Sequence, residues 1–86
     1  MPYIKMEDRE RFLPAFRELA SEPPKTKGEL EFLIYTIMKL YMDGKERNYH
    51  NLHDTTYAAQ HCADEYRRRN LDKREDDARS INGDVV

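Results

Sequence analysis

An all-α fold follows from three observations on this chain of 86 residues. Apolar residues recur at three- and four-residue spacing through the central third, cap-forming residues stand at the heads of two such runs, and no run alternates at period two for long enough to require a strand. The expected architecture is a compact bundle of about three helices with short ordered terminal segments, completed by oligomerisation.

Met6 to Leu13 reads as a short helical turn of its own, because Pro14 is tolerated in the first turn of a helix and breaks one in the interior. A first helix then runs from Pro14 to Ala20, with Phe16, Leu19 and Ala20 on one side, and Pro23-Pro24 ends it. Pro23 to Lys25 is a connector.

Thr26-Lys27-Gly28-Glu29 has the form of a capping box, in which the threonine hydroxyl meets an amide one turn on and the glutamate reaches back. The central helix starts there. Leu30, Leu33, Ile34, Ile37, Met38 and Tyr41 fall on one face, and Phe32, Leu40 and Met42 widen the stripe to an arc that calls for more than one neighbour. Gly44, after Asp43, supplies the left-handed conformation that closes this helix.

Lys45 to His50 reads as a polar loop. Asn51 with Asp54 marks the head of a third helix, the asparagine as cap and the aspartate beside the positive helix end. Its expected buried line is Thr55, Ala58, Ala59, Cys62 and Tyr66, mostly small residues that allow close approach of the central helix. From Arg67 to Arg79 charges of both signs dominate, with Leu71, Ala78 and Ile81 as the remaining apolar positions. This stretch is either a solvated helical extension or an arm packed on another subunit.

Composition bounds the function. The length makes a single domain over residues 1–86, and a chain this short buries only about 60–65% of the surface its unfolded form exposes, so self-association is expected. Hydrophobic residues at 38% and charged residues at 37% lie near the disordered side of the globular range, but six tyrosines and three phenylalanines argue for a folded, thin-cored protein. The net charge of -2 provides no field that would gather nucleic acid or an anionic membrane, so neither is an expected partner and any anion site is local. The single Cys62 excludes an intramolecular disulfide framework, no signal peptide precedes Met1-Pro2, and no apolar run approaches the ~20 residues of a membrane span. A cytoplasmic location is expected.

Catalytic constellations are not found. His50, His53, Asp54, His61 and Cys62 cluster in sequence, but His53 and His61 lie two turns apart and no His-Glu-x-x-His pattern exists, so a cap, an exposed histidine and a packed cysteine are the preferred reading. Cys62 lies on the small-residue stripe as an inert thiol, with His61 turned about 100° away around the helix. The isolated glycines form no phosphate loop, and Glu29, Glu31 and Asp54 do not make the paired carboxylates that bind Mg²⁺ in helical nucleotide pyrophosphohydrolases. Neither a metal, a cofactor nor an enzymatic activity is expected.

An anion-binding candidate remains, in two parts. Lys25-Thr26-Lys27-Gly28 brings free amides, the helix dipole, a hydroxyl and two ammonium groups to the head of the central helix. Read structurally, the same segment is a capped helix with solvated lysines. Tyr66-Arg67-Arg68-Arg69, followed by Lys73 and Arg74, offers planar guanidinium forks beside an aromatic ring. Pairing along an exposed helix, Glu65 with Arg69 and Arg68 with Asp72, explains some of these arginines but not three in succession. Arg67 or Arg69 is the choice for solvent-facing contacts, with Arg68 left open. With Tyr3, Tyr35, Tyr49 and Tyr57 also available, an aromatic-plus-arginine pocket between subunits is the expectation.

The chain also resembles a family of small bacterial and phage proteins of unassigned function. The resemblance rests on Met1 to Ile4, Gly28 to Leu30, Asn51 with Asp54, Glu65-Tyr66 with Arg68-Arg69, and Asn82 to Val85. His61 stands where the family usually carries a cysteine, and Val86 where a final aromatic is usual. The family implies no activity. Its presence in phages suggests an analogy with compact helical anti-defence oligomers that sequester cyclic nucleotide or ADP-ribose-derived immune messengers without catalysis, which in a host cell would act in the cytoplasm. On that analogy the ligand is a small anionic nucleotide held at subunit junctions by Tyr3, Lys25, Thr26, Lys27, Tyr66, Arg67 and Arg69. The alternative is a protein-protein interaction adaptor, or an inhibitor of a host or phage protein, docking through the central helix and the charged arm.

Overall fold

Pro14 sets the register of the first helical segment. The computed structural model describes residues 3–83, so the Met1-Pro2 opening, the Asp84-Val85 close and Val86 lie outside the described residues. After an extended stretch, α1 (Met6–Arg9) passes through a 3-10 turn (Glu10–Phe12) into α2 (Leu13–Ser21), with the proline in the first turn of α2, where it costs no hydrogen bond. Arg9 Nε donates to the Ile4 carbonyl at 2.9 Å and fastens the extended stretch to α1. Phe12 and Phe16 stack at 6.4 Å between ring centroids.

α3 (Lys27–Met42) begins at the capping box. Thr26 Oγ1 accepts from the Glu29 amide at 3.1 Å, and the Glu29 carboxylate accepts from the Lys25 amide at 2.8 Å, one residue further back than the usual reciprocal bond. At the other end Gly44 has φ +79, with open space where a Cβ would stand. The glycine is therefore required by the left-handed backbone and not by crowding.

The third helix begins three residues earlier than the Asn51 cap predicts. α4 (Tyr49–Tyr66) is capped by Asn48, whose Oδ1 accepts from the Asn51 amide at 2.8 Å, while Asn51 Nδ2 donates to the Glu46 carbonyl at 3.0 Å. Two asparagines three residues apart compete for one cap, and the upstream choice lets the second brace the loop. α4 continues through a wide π turn (Arg67–Leu71) into α5 (Asp72–Asn82), which ends at Gly83, φ +87. With 18, 5 and 11 residues, the three pieces make one helical run about 50 Å long at 1.5 Å per residue, and it accounts for the 52 Å long axis.

α3 and α4 pack against each other as a helical hairpin. Thr55, on the predicted buried line of α4, is the sole buried side chain among the described residues, and its hydroxyl donates to the Asn51 carbonyl at 2.7 Å. Asn51 and Ala59 of α4 and Leu33, Met38 and Met42 of α3 are partly covered. The rest of the predicted core is open: Ala58 and Cys62 are exposed, Tyr66 is 71% exposed, and Leu30, Ile34, Ile37, Leu40, Tyr41 and Phe16 stand in solvent.

The chain is all-α with about three helices, as expected, and on its own it is open in shape. A compact chain of this length has a radius of gyration of about 12 Å; here it is 16.9 Å. A folded monomer of this mass exposes about 5,400 Å², against 8155 Å² for this chain. Correct periodicity predicts the faces, while one chain supplies too little protein to cover them.

The caps are directly testable. Asn48→Ala should lower the unfolding free energy by about 1 kcal/mol, whereas Asn48→Asp should hold it within a few tenths, as read by urea denaturation at fixed protein concentration.

Candidate functional site

The candidate site grows from the end of α4. Glu65 falls in its last turn, three residues before Arg68 and four before Arg69, the spacings at which helical side chains meet. Its Oε1 accepts from Arg69 Nε at 2.8 Å, from Arg68 through a short contact, and from the Tyr3 hydroxyl at 3.2 Å. Arg69 also lies over the Tyr3 ring, 5.2 Å from its centroid. Glu65 is thus a hub that ties the extended N-terminal stretch to the head of the π turn. Its side chain is 13% exposed, while those of Arg68 and Arg69 are 66% and 59% exposed.

The hydrogen bond from Arg69, followed by that from Arg68, lowers the Glu65 carboxyl below its ordinary value, and the Tyr3 hydroxyl adds to the effect. The same bond to Glu65 raises Arg69 further. Both groups therefore stay ionised through the neutral range. A neutral proton donor or acceptor for general acid-base chemistry would need the opposite shifts.

The neighbouring arginine is also engaged. Arg67 donates to Asp64 Oδ1 at 3.3 Å, and the same oxygen accepts from Gln60 Nε2 at 2.9 Å. Each arginine of the triplet therefore has an acid on its own helix. The sequence argument that pairing could not account for three in succession is corrected: Glu65 serves two of them and Asp64 the third. Tyr66 presents an open ring between these pairs, and Asn70 Nδ2 donates to its carbonyl at 3.1 Å beside the widened turn.

At the head of α3 the predicted donors are occupied by the chain itself. The Thr26 hydroxyl oxygen accepts from the Glu29 amide, the anion on the Lys25 amide is the Glu29 carboxylate, and the Lys27 ammonium, its side chain 90% exposed, stands 3.9 Å from Glu31. Lys25 borders an open groove with Leu19, Pro23, Pro24, Phe32 and Leu33, which is mostly apolar. The structure brings Tyr3 and Arg69 together; Tyr66 and Arg67 lie on the same helical run, with Arg67 turned about 160° from Arg69 and paired with Asp64. Among the described residues, no hydrogen bond or ion pair links that cluster to Lys25, Thr26 or Lys27.

Sequence reasoning missed a ladder on α4. Tyr49, His53, Tyr57 and His61 recur every fourth residue, with successive ring centroids 5.5, 4.3 and 6.3 Å apart. At ~100° per residue the ladder lies on the side of α4 opposite the Asn51, Thr55 and Ala59 line. Beside it His50 Nε2 stands 3.3 Å from Asp54 Oδ2. The signal was the four-residue spacing, hidden because a helix starting at Asn51 leaves Tyr49 in the loop. Among the described residues, no three His, Cys, Asp or Glu side chains gather as they would around a metal ion.

The family model described as a domain of unknown function (DUF6899) matches residues 1–85, and the chain belongs to that family. No curated protein and no solved structure matches it.

The Glu65 hub predicts a pH signature. A carboxyl lowered on folding contributes stability that is present above its unfolded value, about 4.3 for glutamate, and is lost as pH falls through the folded value. Glu65→Gln should therefore lower the melting temperature at pH 7, and the gap from the parent protein should close below about pH 4. Thermal melts of both proteins from pH 7 to pH 3 provide the check.

Proposed function

We propose that this chain is a non-enzymatic binding protein that works by docking protein, as an adaptor or inhibitor whose fold is completed by what it binds. One observation carries the reading. Among the described residues no hydrophobic side chain is buried, while Phe32, Tyr35, Ile37, Leu40, Tyr49 and Ile81 are each 60% exposed or more. An apolar surface this open marks an interaction face. Small ligands instead bind in concave sites of several hundred cubic ångströms that enclose most of their surface. Two grooves among the described residues, one around Leu19 and Phe32 and one around Ile4 and Phe12, are open to solvent. No helix of the described residues is long and apolar enough to cross a membrane.

A second reading is favoured by one specific feature, the Arg69 guanidinium over the Tyr3 ring, in a stretch of helix whose Tyr66, Arg67 and Arg68 side chains are exposed. Under this reading the chain is a phage-type sponge that holds an anionic nucleotide messenger where subunits meet, with arginines on phosphate and tyrosines on the base. Ligand binding would then have to draw the arginines away from Asp64 and Glu65.

Two titrations separate the readings. Dilute protein should bind a dye for apolar surface strongly while its far-ultraviolet spectrum stays helical, and its melting temperature should not move with cyclic di- or trinucleotides or cyclic ADP-ribose isomers. A dye-silent monomer with a sharp melt would contradict the protein-docking reading. A melting temperature raised by one nucleotide, with the rise absent from an Arg67→Ala, Arg69→Ala double variant, would put the sponge in its place.

A further inference from the structure

The most regular apolar feature of the molecule is on α3, and the hairpin leaves most of it exposed. Leu30, Leu33, Ile37 and Leu40 alternate at three and four residues, the a and d positions of two heptads, and Ile34 and Tyr41 follow as e positions. They lie on one face of the helix over a rise of about 16 Å. Leu30 is 48% exposed, Ile34 44%, Ile37 60%, Leu40 63% and Tyr41 47%, while Leu33 is partly covered. The pattern belongs to a helix that meets another helix along its length, and none of this chain's described helices buries it.

We propose that this seam is covered by the same seam of a second copy, α3 against α3 across a two-fold axis, so that two hairpins close into a four-helix core. Two observations select a second copy over an unrelated partner. The first is area. The chain exposes about 2,800 Å² more than a compact monomer of its mass would, an excess slightly above the burial per chain of about 1,000–2,500 Å² in obligate homodimers. The second is charge. A two-fold axis brings like residues together, so a charged seam would repel itself, and these six positions carry no charge. The nearest acids are already engaged, Glu29 on the Lys25 amide and Glu31 with Lys27, and Lys45 lies over the Tyr41 ring at 4.5 Å at the seam's far end.

The assignment rests on the protein-docking reading above, and it names the first occupant of that surface. It leaves the α4 ladder, the N-terminal aromatics and α5 for further contacts.

Sedimentation equilibrium over a hundredfold range of protein concentration, about 2 to 200 μM, tests it, since that range spans obligate and moderate dimers. The parent protein should sediment as a dimer or a larger closed oligomer. Ile37→Glu and Leu40→Glu should each weaken association at least about 30-fold, the loss expected of a central apolar anchor. Tyr35→Glu should leave association unchanged, because Tyr35 lies about 160° around the helix from Ile37. If a glutamate variant loses its helical spectrum, Ile37→Ala and Leu40→Ala take its place and should still weaken association. A parent protein monomeric throughout would overturn the proposal, as would an oligomer indifferent to Ile37 and Leu40 or equally sensitive to Tyr35. The two levels of the account fail differently. A monomer that still binds apolar dye sinks only the second copy, whereas a dye-silent monomer sinks the docking reading with it.

Discussion

Shortage of protein to cover apolar helix faces is the constraint on which the rest of this structure depends. A helical run about 50 Å long, laid beside a sixteen-residue partner helix, leaves most side chains of both in water. Thr55 alone is buried among the described residues, and it is a polar residue whose hydroxyl bonds its own helix. The hydrophobic term that normally dominates folding is therefore largely unspent within one chain. The radius of gyration, the surface area and the exposed heptad positions of α3 are three views of that deficit.

Local devices hold the shape meanwhile. The capping box at Thr26 and Glu29, the Asn48 cap, Gly44 and the Glu65 hub each fix a boundary or a junction through hydrogen bonds that a lone chain can make. These contacts specify where helices start and how the N-terminal stretch returns to the end of α4. Individually they are modest, since caps contribute about 1 kcal/mol each and exposed ion pairs little. They define the parts, and in the proposed assembly association supplies the packing energy.

The helices were largely legible in the sequence because their signals are local. Pro14, Thr26 with Glu29, and Gly44 act through backbone geometry within one turn, and each does what its residue type dictates. The head of α4 was placed three residues late because Asn48 and Asn51 have the same capping chemistry, and that slip concealed the Tyr49 to His61 ladder. The burial pattern was not legible. Spacing shows that Leu30, Ile34, Ile37 and Tyr41 share a face but carries no information on what covers it, and Cys62 and Tyr66 were expected inside for the same reason. At the candidate site Glu65 with Arg69 could be read from spacing, whereas the arrival of Tyr3 from more than sixty residues away depends on the path of the whole chain.

The most direct test of the account is the thermal unfolding midpoint of the parent protein as a function of its concentration. If the core is assembled between chains, folded protein is stabilised by mass action and the midpoint climbs steadily over a hundredfold increase in concentration, from about 2 μM upward. A sharp, reversible transition at one temperature throughout that range would show that a single chain holds enough packing energy of its own, and would contradict the central claim.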